Sequence, residues 1–369
     1  MAPATSAVRE GGLEGIIVAD TRLSEVDGEG GRLVIAGYDV EDLAGSATFE
    51  DACALLWGSL GDAKGERERV AREVAAGRVL AFGRLPRLGD ALEREEGMDA
   101  LRAAVAHLSE RDGFASPARL TGAVAVFASA WARVRAGASP VAPDPSLGHA
   151  ADYLRMVQDR KPDPARATAL DAYLVTVADH GMNASTFAAR VVRSTGSDLV
   201  SSVVAAIGAL KGPLHGGAPG PVLDMLDSIG TPERAASWIE GELAAGRRIM
   251  GMGHRVYRVR DPRAAVLERA TLELQRSGVS TGRLELACAI ERAAEGALAA
   301  RHPDRALRAN VEFYTAVLLD ALGLDRTCFT PTFAVGRMAG WTAHVEEQRA
   351  TGRLIRPSSR YVGPRRARA

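Results

Sequence analysis

Apolar residues recur at helical spacing along most of this chain, and that periodicity limits the fold more than any single motif. From Thr48 onward the pattern is α-helical: Thr48 and Asp51 can form a capping box, and Ala52, Leu55 and Leu56 follow at helical spacing. The same spacing predicts helices over 97–111, 117–136, 164–179, 198–210, 232–245, 262–277, 283–300, 311–322 and 331–349. The one clear strand signal is a pair of short β-prone runs between residues 16 and 38, around Asp27-Gly28-Glu29-Gly30-Gly31, which reads as a small hairpin. Residues 137–148, with Pro140, Pro143 and Pro145 among small residues, read as a surface loop. No repeat of solenoid length is present. The expected fold is all-α and multi-helical with a small N-terminal β-hairpin. A length of 369 residues suggests two domains, or one large core with a satellite.

Charge narrows the function. The chain carries 46 Lys or Arg against 46 Asp or Glu, a formal charge of zero, which argues against a nucleic-acid binder. The tail arginines Arg365, Arg366 and Arg368 read as a solvated chain end. Only Lys64, Lys161 and Lys211 are lysines, so the positive charge sits on planar guanidinium forks suited to carboxylates and phosphates, although codon usage alone produces the same skew. The most apolar stretch, residues 123–134, is interrupted by Ser129 and Arg133 and is too short for a membrane span. The N-terminus has no apolar core of a secretory signal. Cys53, Cys288 and Cys328 are odd in number and lack C-x-x-C spacing, as in reduced thiols of a cytoplasmic protein, and they indicate no zinc site. Gly251-Met252-Gly253 lacks the third glycine of a dinucleotide fingerprint, and no P-loop occurs.

Three of the seven histidines stand at or beyond predicted helix ends among glycines: His180 in ADHGMNAS, His215 in KGPLHGGAP and His254 in MGMGHRVYRVRDPR. There a side chain can point into a cleft while backbone approaches a ligand closely. Their separations do not suit a metal site. His107, His149, His302 and His344 lack such surroundings and read as structural. Asn310 can cap the helix that follows it, which puts Glu312 in the first turn, where the helix dipole favours the anion and makes it a usable base at neutral pH. Taken singly, each of these histidines is more often a hydrogen-bonded structural one, and Glu312 more often an acid that merely decorates a helix start.

Together they resemble the citrate synthase family. The likeness runs from GLEGIIVADTRLSEVDGEGGRLVIAGYDVEDL through TFEDACALLWGSL to FAVGRMAGWTAHVEEQ and LIRPSSRYVG, nearly the whole chain and in the usual order. It resembles the shorter prokaryotic type, which implies a homodimer without the N-terminal regulatory region. The resemblance implies a large helical domain of residues 1–217 plus 324–369, and a small domain, 218–323, closing over the cleft. It implies that His215 bonds the thioester oxygen of acetyl-CoA as it enolises, and that His254 polarises the keto group of oxaloacetate. His180, Arg263 and Arg337 would hold the oxaloacetate carboxylates, Arg356 would reach the partner's site, and Glu312 would remove the methyl proton. The stretch containing Ile249, Gly251 and Gly253 resembles the loop that wraps coenzyme A. No metal and no permanently bound cofactor is implied; the thioester is a substrate.

Elementary chemistry agrees with these roles. Removing a thioester α-proton needs a placed base and a simultaneous donor to the oxygen that gains charge. A keto dianion calls for bidentate cations and a donor at the carbonyl. Two departures stand out. Glu312 occupies a position where the family usually has aspartate, and Ala218-Pro219-Gly220 follows His215 where Ala-Asn-Glu is common. Three functions follow: citrate synthesis, the same chemistry with propionyl-CoA giving 2-methylcitrate, or a weakly catalytic paralogue that binds CoA and dicarboxylates.

Overall fold

The computed structural model describes residues 13–365 except 14, 60–66, 162, 216–218, 255, 304 and 306; Lys64, Ala218, Arg366 and Arg368 therefore lie outside the described residues. The hairpin forms where expected. Strand β1 (Ser24–Asp27) pairs antiparallel with β2 (Arg32–Ile35), with Val26 opposite Leu33, and a two-residue β3 (Tyr38–Asp39) extends the sheet. Asp27 Oδ1 accepts the Glu29 and Gly30 amides at 3.1 and 2.8 Å and closes the turn. Leu23, Leu33 and Ile35 are buried and anchor the sheet to the helices.

The rest is helical. After the short α1 (Val40–Leu43) come α2 (Phe49–Gly58), α3 (Arg67–Phe82), α4 (Gly97–Ala106), α5 (Pro117–Arg135), α6 (His149–Gln158) and α7 (Pro164–Thr176). Helices α8 (Ala184–Ser194), α9 (Leu199–Leu210), α10 (Pro219–Ile229) and α11 (Ala235–Ala244) follow. The chain continues through α12 (Pro262–Arg276), α13 (Leu284–Arg301), α14 (Val311–Ala321) and α15 (Phe329–Thr351). The capping box at Thr48 is present, with both reciprocal bonds. Helix α15 is the hub: nearly all of it is buried, and it packs against α2, α4, α5, α7, α8 and α9. Beside that group α10 and α12 pack on α14 and α11 packs on α13, while α12 also rests on α7 and α1.

Helices α3, α6, α8 and α10 escape the apolar-spacing reading for a physical reason. The buried faces of α3, α6 and α8 carry Arg78, Asp152 and Arg190, each neutralised by a buried partner, so their apolar period is broken. Pro219, Gly220 and Pro221 open α10 and resemble a turn, yet a proline in the first turn costs no helical hydrogen bond. Three predicted helices differ at their ends. Helix α4 stops at Ala106 before a 3₁₀ turn, α7 stops at Thr176, and the segment from 232 begins with a 3₁₀ turn over Pro232–Arg234. Among the described residues no helix is long and apolar enough to cross a membrane, and no group of three or more His, Cys, Asp or Glu could hold a metal ion. All three cysteines are free thiols.

Candidate active site

Because α7 ends at Thr176, residues 177–183 form a loop that crosses the middle of α15. Gly336 and Gly340 lie one turn apart on α15 against this loop. A Cβ at Gly336 would come within 2.6 Å of Val177 Cγ2, and one at Gly340 would lie 3.0 Å from the Asp179 Cβ. Their bareness lets the Gly340 amide donate to the Ala178 carbonyl at 2.9 Å. Arg337, between them, is driven inward: it is 1% exposed, donates from Nε to the Val177 carbonyl at 2.6 Å, and lies 4.7 Å over the Phe333 ring. Burial pulls its guanidinium down to about 10, with Asp179 acting in the opposite direction. The same loop presents His180, whose Nε2 is 3.1 Å from the Tyr257 hydroxyl.

His254 arrives on the loop before α12. Its Nδ1 accepts the Val256 and Tyr257 amides at 3.0 and 3.1 Å, so the ring hydrogen is on Nε2. That Nε2 lies 3.3 Å from Nη2 of Arg263. Two donors face one another there, an arrangement made for an acceptor atom from outside the protein. Arg263 is itself gripped by Asp261 through Nε–Oδ1 at 3.0 Å and Nη2–Oδ2 at 2.8 Å, which holds its charge despite burial. Asp261 also caps α12 and accepts the Val311 amide at 3.1 Å, joining α12 to α14. The His180 and His254 rings are 5.8 Å apart, edge to face. Burial, followed by the nearby arginines, holds His180 well below the usual range and His254 down to about 4, so both are neutral donors or acceptors near pH 7.

His215 follows α9. Its Nε2 accepts the Ser185 amide at 3.3 Å, which puts the ring hydrogen on Nδ1; the Ser185 hydroxyl, 2.8 Å from Nε2, accepts from Trp341 Nε1 at 2.9 Å and lies 2.8 Å from Asn183 Oδ1. Burial and Arg337 bring this imidazole down to about 4. Glu312 sits in the first turn of α14, where Asn310 caps the helix through a 3.0 Å bond from the Glu312 amide. The expectation that the helix start keeps this carboxyl ionised is corrected: it is pushed up to about 7. Loss of water is the main cause, Asp261 adds repulsion, and the attraction of Arg263 and Arg337 offsets only part of it. A first-turn dipole contributes about 0.3–1 kcal/mol, too little to reverse such desolvation.

The structure thus brings His180, His254 and Arg263 into direct contact, and Arg337 acts electrostatically on His180, His215 and Glu312. Gly251 and Gly253, both at positive φ, pair with residues 308–310: the Asn310 amide bonds the Gly251 carbonyl, and the Gly253 amide bonds the Arg308 carbonyl. Ile249 is buried in the core. Arg356 stays apart, exposed, on a cavity of about 790 Å³ formed with residues of the N-terminal arm such as Asp20 and Arg22. Spacing alone missed Asp261, Asp179, Ser185, Tyr257 and Tyr173. Tyr173 is fully buried, its hydroxyl lacks a hydrogen bond among the described residues, and burial followed by the field of Glu312 raises it well above the usual range. Asp261 alone had a readable signal, a helix cap just before a proline.

A sequence profile described as "Citrate synthase, C-terminal domain" matches residues 12–358. The chain is 40% identical to the citrate synthase of Haloferax volcanii, covering 95% of both chains. It is 39% identical to a 2-methylcitrate synthase of Mycobacterium tuberculosis, covering 95% of this chain and 90% of that one. Its structure matches the ternary complex of carboxymethyl coenzyme A and oxaloacetate with citrate synthase from Thermoplasma acidophilum at a TM-score of 0.81, with 30% identity and 97% of each chain covered. Two neutral histidines with opposite ring hydrogens, two buried arginines and one desolvated carboxyl therefore lie in a shared fold as well as a shared sequence pattern, and the chain belongs to the citrate synthase family.

Proposed function

We propose that this site condenses acetyl-CoA with oxaloacetate to give citrate and free CoA. The observation that carries the reading is the opposed pair of ring hydrogens. His215 offers Nδ1–H and His254 offers Nε2–H, both on neutral rings, so each can hydrogen-bond an oxygen that gains charge while remaining uncharged itself. Glu312, with its carboxyl near 7, takes the methyl proton of the thioester as His215 bonds the thioester oxygen. The resulting enol carbon attacks the oxaloacetate carbonyl, whose oxygen sits against His254 and Arg263. Hydrolysis of citryl-CoA releases CoA. Arg337, Arg263 and His180 hold the two carboxylates. Holding both reactants together removes roughly 7 kcal/mol or more of entropic barrier.

The same reading makes the enzyme a cytoplasmic homodimer in which Arg356 completes the partner's site. Residues 218–323 close over 1–217 and 324–369 to exclude water, and the glycines at 251 and 253 shape the backbone that takes coenzyme A. Likeness to the 2-methylcitrate synthase supports a second reading with propionyl-CoA, since one methylene in an acyl pocket is worth only about 1–3 kcal/mol of discrimination. The test is release of free CoA from oxaloacetate with acetyl-CoA or propionyl-CoA, beside Glu312→Asp. Faster turnover of acetyl-CoA is expected; a strong propionyl-CoA preference selects the second reading, and no release from either refutes both. A Glu312→Asp enzyme faster than its parent would mark the longer carboxylate as a defect.

A further inference from the structure

The N-terminal hairpin touches both histidine loops of the oxaloacetate site. At its base the Ser24 hydroxyl donates to Asp179 Oδ2 and accepts the Gly181 amide at 3.1 Å, while that amide also reaches Asp179 Oδ2 at 3.0 Å. These bonds bracket His180 on both sides, and Val26 packs against Gly181. At its tip the Gly28 carbonyl accepts the Arg258 amide at 2.8 Å. A Cβ on Gly28 would lie 3.0 Å from Val256 Cγ1 and closer still to the Val256 carbonyl oxygen, two residues from His254. Gly31 is equally close to Val259. The strands between tip and base are rigidly registered, and their buried face is fixed by Leu33 and Ile35.

Asp179 is held from behind as well. Arg190 donates to His344 Nδ1 at 3.1 Å, which puts the ring hydrogen on Nε2, 3.2 and 3.4 Å from the two Asp179 oxygens. Arg190 in turn bonds Glu347 at 2.6 Å, and Glu347 accepts the Arg22 amide at 2.9 Å, just ahead of the hairpin. The hairpin and the His180 loop thus share one buried network.

Resting on the reading of the site as an oxaloacetate site, we propose that the β1–β2 hairpin is its positioning element, with Ser24 setting the His180 loop and Gly28 setting the His254 loop. A short two-stranded ribbon spanning the two loops fixes the separation between the carboxylate-holding histidine and the carbonyl-polarising one. An error of about 1 Å in such a separation can cost about a hundredfold in rate.

Gly28→Ala, Ser24→Ala and Ser24→Thr test this in the full-length protein, with Glu29→Ala at the exposed tip as control. We expect Gly28→Ala to lower kcat/KM for oxaloacetate tenfold or more and to weaken oxaloacetate binding in calorimetric titration. KM for the acyl-CoA should stay within threefold. Ser24→Ala should show the same pattern at three- to tenfold, and Ser24→Thr, which keeps the hydroxyl, should restore parental values. Glu29→Ala should stay within twofold. Should Gly28→Ala not fold, the Ala/Thr pair at Ser24 decides. An active parent whose folded variants stay within twofold for oxaloacetate overturns the proposal, as does an equal loss for both substrates or failure of Ser24→Thr to restore. A parent that releases no CoA refutes instead the reading of the site.

Discussion

Glu312→Gln separates the cost of the base from its use. In the folded chain the carboxyl is pushed from an ordinary value of 4.5 to about 7. A raised carboxyl titrates with a definite sign: the native state holds the proton more tightly than the unfolded chain, so ionisation destabilises the fold. The stability linked to this group is fully present below about pH 4.5 and is lost as pH rises through 7. At about 1.4 kcal/mol per unit, the parent is destabilised by roughly 3 kcal/mol at pH 8 relative to pH 4.5 through this group. The amide of the variant cannot ionise, so the variant should unfold at a higher temperature than its parent at pH 8. With an unfolding entropy of about 2 cal/mol/K per residue, the advantage is about 4 °C, shrinking to about 1 °C at pH 5. CoA release should fall by about 10²–10⁴, because the proton acceptor is gone. The assay is a pair of melting curves at pH 5 and 8 beside the CoA-release rate. An advantage equal at both pH values, or reversed at pH 8, would refute the claim that desolvation dominates at Glu312. In the parent, kcat/KM should climb through a midpoint near pH 7, since only the anion accepts a proton while His215 and His254, near 4, stay neutral.

Ser185→Ala leaves Nε2 of His215 with a backbone amide alone and loosens the ring; kcat should drop about tenfold or more, with KM for oxaloacetate within threefold. Arg337→Lys should raise KM for oxaloacetate about 10- to 100-fold, the worth of a charged hydrogen bond, because an ammonium cannot bond Val177 and grip a carboxylate with a planar fork. Arg349→Lys, on an exposed pair with Glu346, should stay within twofold in the same kinetics. If Arg356 serves the partner's site, mixing separately inactive Arg356→Ala and His215→Ala chains should restore about a quarter of parental activity, since half of the random dimers carry one intact site; no recovery on mixing would place Arg356 in its own chain's site.

Legibility followed burial of charge. Where a helix buries an apolar stripe, as α14 does with Tyr314, Val317 and Leu318, spacing finds it to within a residue or two. Where the inward face carries Arg190 beside Ser185, as in α8, the stripe is polar because those groups find partners on α15. A single sequence cannot display such partners. The histidines of the site were visible because glycine surrounds them. Their neutrality and opposite ring hydrogens were not, since both depend on amides of Ser185, Val256 and Tyr257 that only folding brings near. His344 has no local signal for the same reason: Arg190 and Asp179, its partners, are more than 150 positions away.

The zero net charge argues against a nucleic-acid binder yet conceals how the arginines are used. Neither buried arginine of the site is a bare cation. Arg263 is held by Asp261, and Asp179 acts on Arg337, which avoids the several kcal/mol that an uncompensated buried charge costs. Each compensation also selects the face left over. Asp261 occupies Nε and one hydrogen of Nη2 on Arg263, so among the described residues Nη1 and the second Nη2 hydrogen beside His254 remain. Among the described residues only Val177 bonds Arg337, through Nε, so both terminal nitrogens remain for a carboxylate. Arg337 is thus the arginine equipped for an end-on bidentate grip, while Arg263, paired and set against His254, is equipped to hold a carboxylate and carbonyl side by side. On the proposed reading of the site, that division would seat the 2-keto acid group at the Arg263–His254 end and the second carboxylate at Arg337. A monocarboxylate such as pyruvate would leave Arg337 without its anion and should bind more weakly than oxaloacetate by at least the ten- to hundredfold expected of Arg337→Lys.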